Sequence, residues 1–177
     1  MPQLLSGLSL GLPTFYLNSM IILGIDPGFA RCGYGVVDFN NKKGNVLDFG
    51  CVEPKVSESD EFKLNFVYDE LEKVIKKFSP NLFAVEKVFF NSNAKTVIKV
   101  GSAIGVVKLV AYRNGLQVEE YTPLQVKMSL TGYGKADKNQ VQQMIKHVFK
   151  LDSIPQPDDA ADGLAICYCM AVDKRLI

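Results

Sequence analysis

Two short apolar runs in this chain each end in an acid, and this pattern constrains the fold more than any other feature. MIILGID (20–26) and LFAVE (82–86) are too short for helices and free of charge until the last residue. Such runs read as strands buried on both faces of a sheet. Their terminal carboxylates, Asp26 and Glu86, then sit at the edge of a core and must meet a cation, a basic partner or water. A third acidic place is PDDAADGLA (157–165), where Asp158, Asp159 and Asp162 open an apolar helical run. Asp159 and Asp162 are spaced i, i+3 and share a helix face. Asp158 is four residues before Asp162 and shares it too, so spacing alone leaves open which of the doublet joins the site. If the two strands are neighbours and the helix packs over them, the carboxylates converge at one sheet edge. Oxygen ligands with room for water and a phosphate suit a hard divalent cation. Plainer roles compete: Asp before Pro-Gly is common at turns, and acids favour the first turn of a helix. One Asp satisfies a cap, however, and here there are three within five residues.

The remaining pattern gives an α/β order. MIILGID, CGYGVVDF (32–39) and NVLDFGCVE (45–53) read as three antiparallel strands. Pro27-Gly28 fits the centre of a type II turn, and Asn40, Asn41 and Gly44 read as turn residues. A helix is predicted over Glu61–Phe78, stopped by Ser79-Pro80-Asn81. LFAVE follows, then a helix over Asn93–Arg113, a strand LQVEEY (116–121), and helices from Pro123, over Lys138–Lys150 and over Asp158–Val172. The expected fold is a five-stranded mixed sheet with helices on both faces. The Asn93–Arg113 helix contains Gly101, Ser102, Ala103 and Gly105. Small residues allow close approach, either to the chain's own sheet or to a second copy.

Composition narrows the function classes. The chain has 177 residues and a net charge of +1. Between Asn91 and Lys150, however, nine Lys or Arg face three Asp or Glu. That basic stretch would draw a polyanion toward the acids. Four cysteines without a CxxC pair, and a single histidine, argue against zinc. Cys167 and Cys169 read as small core residues, and reduced thiols fit a cytoplasmic protein. Residues 1–19 carry no Lys or Arg, so they resemble neither a signal nor a transit peptide. They are expected to be a poorly ordered extension ahead of a possible start at Met20, with one domain over 20–177.

Four segments together resemble a known family. GIDPGFARCGYGVV, AVEKVFFNSNAKTVIKVGSAIGVV, TPLQVKMSLTGYGKADKNQV and PDDAADGLAI are similar to the successive signatures of the RuvC family of Holliday junction resolvases. The resemblance runs in order from Met20 to the C-terminus. It implies an RNase H-like fold and a homodimer that nicks two opposite strands of a four-way DNA junction. It implies Mg²⁺, with Mn²⁺ as a substitute. At such a site two ions are expected, one activating water and one stabilising the leaving oxygen, which gives products with 5′-phosphate and 3′-hydroxyl ends. By motif, the catalytic and metal-binding acids are Asp26, Glu86, Asp159 and Asp162. Phe89 matches an aromatic that stacks on an unpaired base, with Phe90 turned inward. Lys127 and Lys138 match basic residues near the scissile phosphate. Partnership with the branch-migration proteins RuvA and RuvB is implied in the same way. Rival readings are an actin-like kinase or ATPase, whose phosphate loop GIDPG resembles but whose second domain this length does not hold, an RNase H-like nuclease for another substrate, or a junction-binding module without catalysis.

Overall fold

A computed structural model describes residues 19–88 and 94–177. Three strands come first, β1 (Met20–Asp26), β2 (Cys32–Asn40) and β3 (Lys43–Val52), followed by helix α1 (Asp60–Phe78). Strand β4 (Leu82–Glu86), helix α2 (Ala94–Arg113) and strand β5 (Val118–Tyr121) come next. Helices α3 (Pro123–Thr131), α4 (Lys138–Val148) and α5 (Asp158–Asp173) close the chain. The sheet order is β3-β2-β1-β4-β5. β1–β2 and β2–β3 pair antiparallel, while β1–β4 and β4–β5 pair parallel.

Period-two alternation divides the core between the two faces of this sheet. Leu23, Ile25, Phe83 and Val85 join Val67, Leu71 and Ile75 of α1 and Val107, Val110 and Ala111 of α2. Ile22 and Ala84 point the other way, toward Val126 of α3, Ile145 of α4 and Leu164 of α5. The termini of these helices are written locally. Ser59 caps α1 by accepting from the Phe62 N–H. Thr122 with Gln125, and Asp137 with Gln140, form reciprocal capping boxes at α3 and α4. Helix α3 stops at Gly132, whose φ of 70° is left-handed.

Helix α5 lies almost directly on the sheet. A Cβ on Gly163 would fall 2.5 Å from the Tyr34 carbonyl carbon, and one on Gly35 would fall 2.7 Å from the Leu164 nitrogen. Only glycine on both surfaces lets the backbones come this close. The Cys167 thiol joins the same contact, donating to the Gly35 carbonyl at 3.2 Å. Cys167 and Cys169 are buried core residues, as expected.

Two turn assignments need correction. Gly28 does not have the positive φ that a type II turn requires of it. It is needed for space instead, because a Cβ there would sit 2.1 Å from the Arg31 carbonyl oxygen. The β2–β3 hairpin turns at Asn41 and Lys42, both left-handed (φ 50° and 61°), and Gly44 belongs to β3. A two-residue turn of this hand matches the twist of the strands it joins. The segment 1–18, the Phe89 and Phe90 readings and the expected helix start at Asn93 lie outside the described residues.

Candidate metal centre

The parallel register of β1 and β4 sets the first two acids side by side. Ile25 pairs with Val85, so Asp26 and Glu86 are the next residues of neighbouring strands. Both follow the alternation of Ile22 and Ala84 onto the α5 side of the sheet. The close approach of α5 then brings its first turn over them. Carboxylate oxygens of Asp26, Asp159 and Asp162 all lie within 4.8 Å of one another. Glu86 and Asp162 line an adjoining depression of about 180 Å³, together with Lys127 of α3 and Lys138 of α4. The structure therefore gathers Asp26, Glu86, Asp159, Asp162, Lys127 and Lys138 around one edge of the sheet.

The doublet is divided by geometry. Asp159 turns into the carboxylate group, whereas Asp158 accepts from the Lys138 ammonium at 2.5 Å. Pro157 occupies the N-cap of α5 and makes no side-chain cap hydrogen bond.

Burial and mutual repulsion raise three of the four carboxyls. Burial raises the Asp26 carboxyl to about 7, helped by the charges of Glu86, Asp162 and Asp159. Burial also raises Glu86 to about 7, with Asp162 adding to the shift and Lys127 opposing it. Asp162 is raised chiefly by burial, against the pull of Lys138. These are the causes expected when like charges crowd in a half-dry site. Oδ2 of Asp159 is buried with no hydrogen-bond partner. The nearest described cation, the Arg31 guanidinium, stands 3.9 Å away and is hydrogen-bonded at 3.1 Å to Glu53. A buried carboxylate oxygen without a donor is an unmet demand for positive charge. The donor set is all hard oxygen, which fits a divalent cation of the Mg²⁺ or Mn²⁺ type. Sequence reasoning missed Arg31, since nothing in the post-β1 loop marks it as a neighbour of a helix more than a hundred residues away.

A mixed sheet with carboxylates at the ends of its central strands, capped by an acidic helix turn, is the RNase H-like arrangement of a metal-dependent nuclease. Within that class the match is specific. The family model "Crossover junction endodeoxyribonuclease RuvC" matches residues 22–170, and the chain belongs to that family. A crossover junction endodeoxyribonuclease RuvC from Ruminiclostridium cellulolyticum is 48% identical over 157 residues, covering 89% of this chain and 95% of the relative. The Thermus thermophilus RuvC structure superposes with a TM-score of 0.82 at 34% identity, covering 89% of this chain and 96% of that one. The same T. thermophilus protein in complex with Holliday junction substrate gives a TM-score of 0.83. The yeast mitochondrial Holliday junction resolvase Ydc2 shares the fold, with a TM-score of 0.61 at 15% identity.

Proposed function

We propose that this chain resolves four-way DNA junctions by paired, symmetrical nicks, using Asp26, Glu86, Asp159 and Asp162 to hold two divalent cations. The observation that carries the reading is the meeting of three carboxylates within 4.8 Å, one with a buried oxygen that has no hydrogen-bond partner. Mg²⁺ is the proposed ion and Mn²⁺ its substitute; when bound, such ions activate water and stabilise a leaving oxygen. The chain's own residues do the rest. The four acids orient the ions against the sheet edge. Lys127 and Lys138 flank the depression beside Glu86 and Asp162 and offset charge on the phosphate as it is attacked. The products carry 5′-phosphate and 3′-hydroxyl ends. Phe89 is proposed to stack on an unpaired base, a contact worth roughly 1–3 kcal/mol.

The acting unit is proposed to be one domain over 20–177, paired as a homodimer whose two-fold axis matches that of the junction. The exposed side of α2 supports the pairing. Ile98, Leu109 and Tyr112 are exposed there, and Gly101 and Gly105 have open space beside them. RuvA and RuvB are proposed partners, and the cytoplasm the proposed location. Among the described residues no helix is long and apolar enough to cross a membrane.

The test is a labelled synthetic four-way junction incubated with Mg²⁺, with Mn²⁺ or with EDTA, beside Glu86→Gln. Paired, ligatable nicks that need both metal and Glu86 are expected. Equal cutting of linear duplex would overturn junction selectivity, and binding without cutting in either metal would make the chain a recognition module.

A further inference from the structure

The Asp158–Asp159 doublet places two carboxylates at the start of α5, and they do different things. Lys138, the first residue of α4, reaches across to this turn. Its ammonium lies 2.5 Å from Oδ2 of Asp158 and 3.7 Å from Oδ2 of Asp162. It therefore has two acids within reach and is hydrogen-bonded to the outer one. A lysine ammonium is a compact point charge on a flexible stem. Released from Asp158, it has Asp162 as its nearest remaining acid among these contacts, and there it would neutralise an oxygen that a divalent cation needs. Asp158 is the more exposed of the two acids, 42% against 30% for Asp162.

We propose that Asp158 is a positioning residue that holds Lys138 off the carboxylate group, keeping Asp162 and its neighbours open to a cation while leaving the ammonium beside the substrate depression. The inference rests on the reading of Asp26, Asp159 and Asp162 as cation-holding residues, and it concerns how their own neighbour is kept from competing. Asp158 acts through Lys138, not as a further ligand. Lys138 is thereby stored where it can turn to a phosphate once DNA arrives.

The experiment is a Mn²⁺ titration of the DNA-free protein, with free ion followed by its electron paramagnetic resonance signal. The set is wild type, Asp158→Ala, Asp158→Glu, Lys138→Met and the double variant Asp158→Ala/Lys138→Met. Asp158→Ala is expected to weaken Mn²⁺ binding about three- to fivefold, the range that a part-exposed ion pair commands. Asp158→Glu should restore most of the affinity. In the Lys138→Met background the Asp158→Ala change should weaken binding by far less, because the competitor is gone. An equal loss in both backgrounds would overturn the inference, since Asp158 would then act by its own charge or as a ligand. Unchanged affinity in Asp158→Ala would overturn it as well. Wild-type protein that binds no Mn²⁺ would overturn the cation-site reading itself, and this inference with it.

Discussion

Helices α2 and α5 carry the same sequence signal and use it in opposite ways. Both are apolar and both contain glycine. In α5 the glycine is consumed inside the molecule: Gly163 lies against the backbone of Tyr34 and Gly35, and ten residues of the helix are buried, from Ala160 to Ala171. In α2, a Cβ on Gly101 or Gly105 would meet nothing within 4 Å. Val107, Val110 and Ala111 bury one side of α2, while Ile98, Leu109 and Tyr112 stay exposed on another. Close approach within the chain builds the carboxylate cluster, because it lowers Asp159 and Asp162 onto Asp26. Open glycines on α2 leave a surface that a second copy can approach.

The sharpest way to break this contrast is to fill a glycine in each helix. Gly163→Ala forces backbone apart at the α5 contact. It is expected to remove about 3 kcal/mol of stability, lower the melting temperature by roughly 10 °C, and abolish junction cutting. Calorimetry beside the cleavage assay measures both, and a variant that keeps its stability would show that α5 can slide without loss.

A second prediction concerns the charge that α5 packs against β1. Asp26 and Glu86 titrate near 7 in the folded protein, above their ordinary values near 4. The cation-free fold thus binds more protons than the unfolded chain between about pH 4 and 7, and it loses stability as pH rises through that window. Above it the loss is complete. Mg²⁺ is therefore expected to raise the melting temperature more at pH 8, by about 5 °C, than at pH 5, where protons already occupy the site. Asp26→Asn should stabilise the cation-free protein at pH 8 and shrink the gain from Mg²⁺. Equal Mg²⁺ effects at the two pH values would contradict the assignment.

On α2 the effects should be smaller within one protomer. Leu109→Glu is exposed, so protomer stability should change by less than about 0.5 kcal/mol. If α2 carries the proposed dimer interface, analytical ultracentrifugation should nonetheless show the variant as a monomer where the wild type pairs. A persistent dimer would move the interface elsewhere. Gly101→Ala, with open space around it, should stabilise the protomer by about 0.5–1 kcal/mol, read as a small rise in melting temperature. A destabilised protomer would mean that α2 meets its own chain at that position.

Much of this was legible in the residues. The order of strands and helices follows from apolar periodicity, and the helix predicted over Glu61–Phe78 differs from α1 by one residue. The predicted strand over 116–121 was longer than β5, which spans Val118–Tyr121, because a strand's end is set by where its partner β4 stops pairing. The Pro27-Gly28 turn was misread because Pro-Gly suits a type II turn locally. Here the demand on Gly28 comes from the Arg31 carbonyl folding back on it.

By itself, the sequence determined which residues could be functional. An acid at the end of an apolar strand, or surplus acid in a helix's first turn, is a local statement about burial and spacing, and those rules act within a few residues. Tertiary structure alone decided what these acids do together. The parallel pairing of β1 with β4 sets Asp26 beside Glu86, the glycine contact drops α5 onto them, and Lys138 arrives from another helix to claim Asp158 and leave Asp159 to the cluster. Charge coupling falls off over ångströms in space, not along the chain, so the raised carboxyls and the division of the doublet exist only once the sheet is assembled.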